Sequence, residues 1–438
     1  MGDAVCALRG PRRMVRTGSG VPGPRRVAVV GAGMVGLSTA WFLQEHGVDV
    51  TVLERDGVAA GSSWGNAGWL TPGITTPLPE PAVLAYGLRA VLSASSPVYV
   101  PLRPRRELLR FLGGFARHST RRRWEAGMRA YAPVNALALG AFERLAEGGV
   151  EARLHQADPF LACYRTPEER THLLDELEQI ADAGQDVKFE AITGDEARRT
   201  EPALSDAVGA AIRIHDQRFI NPPQYMAALA DSVRSRGGEI ATGTTVEHLR
   251  DEDAAVSVVD ACGTTRRFDA AVVANGARLG DLVRPFGVRQ IVQAGRGYSF
   301  TVAARHLPAG PVYFPAQRIA CTPMRSPDGD SLRIAGMMEF RSPSAPLDAR
   351  RIRAMVCAIA PLMDGLDLQD RHHEWVGSRP CTPDGLPLIG GTTSGRVFVA
   401  GGHGMWGMAL GPLTGELLAR HIVTGTSDPL LKPFDPTR

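Results

Sequence analysis

The stretch Arg26-Val27-Ala28-Val29-Val30-Gly31-Ala32-Gly33-Met34-Val35-Gly36 constrains this chain most. An apolar run, Val27 to Val30, is followed by a glycine turn and by a helical pattern from about Met34 to Gln44. The spacing is G-x-G-x-x-G, and Glu54 closes the next apolar run about twenty residues on. Each position has a physical reason. Gly31 permits the tight turn, Gly33 lets a pyrophosphate reach bare backbone, and Gly36 lets the helix lie close to the strand. The helix N-terminus offers unpaired N–H groups to phosphate. Glu54 accepts from ribose hydroxyls and repels a 2′-phosphate. The chain is therefore expected to bind FAD or NAD. An ordinary βα turn is the weaker reading, because strand, turn, helix and acid occur together.

A chain of 438 residues is long enough for two domains. A hydrophobic fraction of 44% with 22% charged residues is the composition of a globular protein. A net charge of +3 is too small to imply a nucleic-acid partner. The cysteines (Cys6, Cys163, Cys262, Cys321, Cys357, Cys381) are scattered, without metal-binding spacing, and read as reduced thiols of a cytoplasmic protein. No apolar run reaches the ~18 residues of a membrane span. Residues 1–24, rich in Gly, Pro and Arg, read as a disordered tail.

Gly61 to Gly68 is a Gly/Ser loop suited to a ligand running past backbone. Residues 82–145 look helical, with apolar stripes at Val83, Leu84, Leu88, Val91, Leu92 and at Leu108, Leu109, Leu112, Phe115. Arginines surround the second: Arg103, Arg105, Arg106, Arg110, Arg117, Arg121, Arg122 and Arg123. A basic amphipathic helix can rest on the inner face of a membrane, or can simply be the solvated side of a packed helix. Strands are expected over 160–165, 210–214, 245–250, 255–260, 298–302, 312–314, 319–322 and 332–336, and helices over 168–184, 223–236 and 348–359. Phe268 to Ala277 reads as a further strand of the dinucleotide sheet ending in glycine. The strand Val397 to Ala400, running into Gly401-Gly402-His403-Gly404-Met405-Trp406-Gly407-Met408 and a last helix, repeats the strand–glycine–helix theme.

These pieces resemble the FAD-dependent D-amino-acid oxidase superfamily, most closely its D-amino-acid dehydrogenase branch. The fingerprint with Glu54, the Ser62-Ser63…Asn66-Ala67-Gly68 loop, Arg296-Gly297-Tyr298-Ser299, Arg379-Pro380…Thr382-Pro383-Asp384-Gly385 and Gly402-His403-Gly404…Gly407 carry it. The resemblance covers about residues 25–430. It implies FAD as cofactor and an α/β (α+β overall) fold. A Rossmann-like FAD domain (25–80, 205–285, 371–438) is interleaved with a substrate domain on a mostly antiparallel sheet (81–204, 286–370). FAD contacts are expected at Gly31, Gly33, Met34, Val35, Gly36, Glu54, Arg55, Ser62, Ser63, Asn66, Ala67, Gly68, Val246, Asn275, Gly276, Gly402, Gly404, Met405, Gly407 and Met408. No metal is expected.

The implied reaction is oxidative deamination of an amino acid: hydride passes from the α-carbon to flavin N5, and the imino acid hydrolyses to a 2-oxo acid. Arg379 is the implied carboxylate anchor, since a guanidinium forks onto a carboxylate. Tyr298 is either a substrate contact or a core tyrosine. His403 is either a ligand contact or a structural residue at the flavin edge. Met337, Met338 and Glu339 are pocket or core residues. The electron acceptor is a quinone, a carrier or oxygen. Several relatives carry a lysine near the flavin that assists reaction with oxygen. The lysines here, Lys188 and Lys432, stand in no such motif, which leans towards a dehydrogenase. Alternatives are an oxidase of glycine, sarcosine or a cyclic imino acid, and a flavin-dependent tRNA-modifying domain.

Overall fold

The computed structural model describes residues 23–81, 98–101, 104–326 and 329–438. The tail up to residue 22, the stripe Val83, Leu84, Leu88, Val91 and Leu92, Arg103 and Cys6 lie outside the described residues.

A six-stranded sheet carries the glycine fingerprint. Its order is Glu239–Ala241, Asp49–Leu53, Arg26–Val30, Ala270–Val273, Val397–Gly401 and Leu388–Gly391. All neighbours run parallel except the last pair. The central strands are apolar on both faces because both are covered, as parallel sheets require. Helix Met34–Glu45 lies on one face, with Leu37, Trp41 and Leu43 buried. Helix Gly407–Thr424 packs against it at a distance only glycine allows. A Cβ at Gly415 would lie 2.6 Å from the Thr39 nitrogen, and one at Gly411 would lie 2.7 Å from Met34 Cγ. The other face is covered by a three-stranded antiparallel meander, Val246–Glu252, Ala255–Asp260 and Thr265–Phe268, and by the short helix Leu279–Val283.

A nine-stranded sheet forms the second layer. Its order is Leu366–Cys381, Gln293–Ala304, Ser331–Glu339, Ile319–Met324, Val312–Phe314, Phe160–Tyr164, Ala210–Ile214 and Phe189–Thr193, with Val98–Tyr99 beside Ser331–Glu339. It is antiparallel except where Val312–Phe314 meets Phe160–Tyr164 and where Val98–Tyr99 pairs. Helix Ala349–Ile359 caps one face through Ile352, Met355 and Ile359, which join Tyr298, Phe300 and Ile334. The α/β class, with one parallel and one mostly antiparallel sheet, is as expected.

Two strands sit in a different sheet from the one their expected domain gives them. Ala210–Ile214 and most of Leu366–Cys381 fall in 205–285 and 371–438, expected in the dinucleotide unit, yet both strands hydrogen-bond into the nine-stranded sheet. A short buried apolar run reads the same in either sheet, and only long-range pairing decides its place.

Helices Arg106–His118 and Arg121–Glu147 occupy the described part of the expected helical block. The apolar side of the first is spent on protein: Leu108, Phe111 and Phe115 pack with Phe340 and Cys381, while Leu109 stays exposed. No described helix is long and apolar enough to cross a membrane.

Candidate active site

A cleft runs between the two sheets, with about 1470 Å³ of atom-free space when its open mouth is included. One end is the glycine turn. Gly31 has φ +110, and a Cβ there would lie 2.6 Å from the Ala274 carbonyl oxygen. A Cβ on Gly36 would stand 2.0 Å from the Gly31 carbonyl oxygen, so this glycine lets the helix seat against the turn itself. Gly33 instead faces open space, apart from the Ser63 hydroxyl 3.3 Å from where its Cβ would be. That hydroxyl accepts from the Met34 N–H at 3.1 Å and stands at the helix N-terminus. Glu54 accepts from the Ala32 N–H at 2.8 Å and from the Asp56 N–H at 2.9 Å. Its carboxylate thus braces the turn and is itself held in place, with lone pairs left for a hydroxyl.

The cleft lining gathers most of the expected cofactor residues: Gly31, Gly33, Met34, Val35, Glu54, Arg55, Ser62, Ser63, Asn66, Val246, Asn275, Gly276, Gly404, Met405, Gly407 and Met408. Gly36, Ala67, Gly68 and Gly402 stand behind it. Gly402 has φ +73 and Gly68 has φ +79, so both serve the course of the backbone. The second helix N-terminus, at Gly407, opens on the same cleft as the first. The residues fit an adenine dinucleotide: bare backbone at Gly33, two helix N-termini, an acid at the ribose position, and two unpartnered polar atoms, Asn275 Oδ1 and His403 Nδ1, on lining residues.

His403 is 1% exposed, and its Nε2 lies 2.9 Å from Thr414 Oγ1. Burial pushes its pKa down to about 4, so the ring is neutral at neutral pH.

Arg379 lines the cleft beside Val376, Gly377 and Ser378, near the end of strand Leu366–Cys381. Its Nη1 donates to the Met337 carbonyl at 2.7 Å. No carboxylate lies within ion-pair distance of it among the described residues. Burial lowers its pKa from the ordinary arginine value, and the only opposing group is the Cys381 thiol, not a carboxylate. The guanidinium lies over Gly297, where a Cβ would come within 2.3 Å of Nη2. A half-buried cation is thus presented to the cleft without its counter-ion.

Tyr298 is not in the cleft. Side chains alternate across a strand, so Tyr298 and Arg296 face the side opposite Gly297. The Tyr298 hydroxyl donates to Glu339 Oε2 at 2.6 Å, and burial with this carboxylate pushes its pKa up to about 12. The Tyr298 side chain is 1% exposed and packs in the core cluster of the nine-stranded sheet, the position of a core tyrosine. Glu339 and Arg296 belong to the same buried group, 3.1 Å apart. Met337 contributes its carbonyl, and its side chain joins the core.

Three residues outside the expected set hold the Ser62–Ser63 loop onto the nine-stranded sheet. Arg333, 3% exposed, donates to the carbonyls of Trp64 and Asn66 at 2.8 and 3.2 Å. With no carboxylate beside it, burial takes its pKa down to about 10. Ser299 Oγ donates to the Gly65 carbonyl at 2.8 Å. The Trp375 indole covers both Gly65 and Gly377, where a Cβ would collide at 2.1 and 1.9 Å. An arginine inside the apolar run Leu332-Arg333-Ile334 was the one available signal. The described residues contain no metal-binding cluster, and their cysteines form no disulfide.

The family profile described as FAD dependent oxidoreductase matches residues 26–421. The chain belongs to this family. FAD is its cofactor, and the protein is an oxidoreductase. It is 30% identical over 396 residues to a D-amino acid dehydrogenase of Cereibacter sphaeroides (strain ATCC 17029), covering 86% of this chain and 87% of the relative. Among solved structures it resembles glycine oxidase from Geobacillus kaustophilus, with TM-score 0.70 and 24% identity over 94% of this chain and 99% of that one. It also resembles L-alpha-glycerophosphate oxidase from Mycoplasma pneumoniae with FAD bound, with TM-score 0.70 and 17% identity over 94% and 98%. These two likenesses are of fold. The family's cofactor is FAD, so the NAD alternative falls away.

Proposed function

We propose that this flavoprotein oxidises amino acids, D-amino acids foremost, to imino acids that hydrolyse to 2-oxo acids. The observation that carries the reading is Arg379: a cation without a protein carboxylate, held at the cleft wall with its fork open. A guanidinium so placed favours an anionic ligand of carboxylate geometry. The D-amino acid dehydrogenase relative supports the choice of substrate and hand.

Bound FAD supplies the two-electron acceptor for the hydride that leaves the α-carbon. The chain's part is binding and orientation. Glu54, Ser63 and the Gly31–Met34 turn hold the dinucleotide, and the Gly407 helix turns its N-terminus to the same cleft. Arg379 fixes the carboxylate and with it the direction of the α-C–H. His403, neutral, offers Nδ1 without adding charge. No protein base is needed for an amine that binds uncharged.

In this reading the parallel sheet serves the dinucleotide and the nine-stranded sheet serves the substrate, a division that the strand orders support. The electron acceptor is a quinone or carrier in preference to oxygen. Lys188 is paired with Asp216 at the surface, and no lysine lines the cleft. The arginine-rich helix Arg106–His118 serves as a solvated face, because its apolar side is already covered.

The test is anaerobic mixing of the yellow holoprotein with single D- and L-amino acids, glycine, sarcosine and prolines. Bleaching by one or more D-amino acids, with slow re-oxidation by air, is expected. Bleaching by glycine or sarcosine alone, with fast peroxide formation, would replace this reading with that of an oxidase.

A further inference from the structure

We propose that Met337 is a positioning residue for Arg379. Its left-handed backbone aims the carbonyl that fixes the guanidinium over Gly297. This rests on Arg379 being the carboxylate anchor.

The strands Gln293–Ala304 and Ser331–Glu339 pair regularly from Val302/Leu332 to Tyr298/Gly336, and the next pair is Arg296/Glu339. Between these pairs one residue, Gly297, stands opposite two, Met337 and Met338. This is a β-bulge, a feature that re-aims groups next to sites. Met337 has φ +67, a conformation L residues other than glycine seldom adopt. In a regular ladder its carbonyl would point along the sheet to a neighbouring strand. In the bulge it accepts from Arg379 Nη1 at 2.7 Å, across the strand that lies between them.

The surroundings enforce the bulge. Met338 lies under Gly295, where a Cβ would meet its sulfur at 2.5 Å, and Met337 is buried in the core. Gly297 supplies bare backbone beneath the guanidinium. Seat and carbonyl together remove rotamer freedom from a long side chain before any ligand arrives, and such preorganisation strengthens binding. One Nη1 hydrogen goes to Met337. The remaining donors of the fork are left for a carboxylate.

The substitutions that separate the ideas are Met337→Val, Met337→Gly, Gly297→Ala and Arg379→Ala, each as FAD-loaded protein. A β-branched residue tolerates positive φ worst and should flatten the bulge, whereas glycine adopts it freely. Acetate serves as the carboxylate probe, titrated by calorimetry and by its perturbation of flavin absorbance.

Met337→Val should weaken acetate about tenfold or more, since misplacement by about 1 Å costs that much or more. FAD should stay stoichiometric. KM for the amino acid should rise with it, and an amine lacking the carboxylate should be unaffected. Met337→Gly should return acetate affinity to within about threefold of the parent, a conformational rescue. Wild-type acetate affinity in Met337→Val, with binding lost in Arg379→Ala, overturns the positioning role and leaves the anchor standing. Wild-type affinity in Arg379→Ala overturns the anchor instead. Should Met337→Val fail to load FAD, Gly297→Ala decides. Its methyl displaces the guanidinium and should weaken acetate, and unchanged affinity there overturns the proposed seat.

Discussion

Arg296 and Arg379 sit on neighbouring strands of one sheet and face opposite sides of it. Arg296, fully buried, has Glu339 at 3.1 Å and gives its other Nη to the carbonyls of Ala345 and Pro346 at 2.7 and 2.9 Å. Arg341 and Arg351 share the same carboxylate, at 3.2 and 3.6 Å. Arg379 has one carbonyl and open space. Burying a charge without a partner is costly, so the protein compensates the cation that only supports structure. The cation on the cleft side is left short of a counter-ion, which a ligand can supply.

Substitutions that break this contrast should grade in size. Glu339→Ala leaves Arg296 enclosed without its carboxylate and should cost on the order of 3–5 kcal/mol of stability, read by denaturant unfolding. A loss under about 1 kcal/mol would mean the cluster is not the charge balance described. Arg333→Met is the intermediate case, an enclosed arginine held by two carbonyls and the Trp64 ring, with no carboxylate. It should cost about 1.5–3 kcal/mol and loosen FAD, because the loop bearing Ser62 and Ser63 loses its anchor. FAD retention equal to wild type would detach that loop from the cofactor. Arg379→Met gives up one carbonyl bond and an uncompensated charge. Its stability should stay within about 1 kcal/mol of wild type in either direction. A loss as large as that of Glu339→Ala would make Arg379 a structural residue like Arg296.

Local chemistry was legible in the sequence. The fingerprint, Glu54, the Ser62–Ser63 loop and the second glycine–helix turn depend on short-range rules, and most of their residues line the cleft. What depended on distant pairing was not. Arg296, Tyr298 and Arg379 all stand in glycine-flanked motifs, and nothing local tells which face each takes. The bulge at Met337 also breaks the two-residue period that a face assignment uses. Gly65 and Gly377 look like loop freedom, yet both make room for Trp375. Ala210–Ile214 shows the same limit at the level of sheets.

The central claim is that Arg379 holds the substrate carboxylate. Its most direct test is the anaerobic rate of flavin reduction by the best D-amino acid, compared with the amine that lacks only its carboxylate. Arg379→Ala should slow reduction at low substrate by roughly a hundredfold or more, at about 1.4 kcal/mol per decade. Arg379→Lys should recover part, since an ammonium lacks the planar fork. The amine should lose little in either variant. Wild-type reduction by the amino acid in Arg379→Ala, with FAD still bound, would contradict the account.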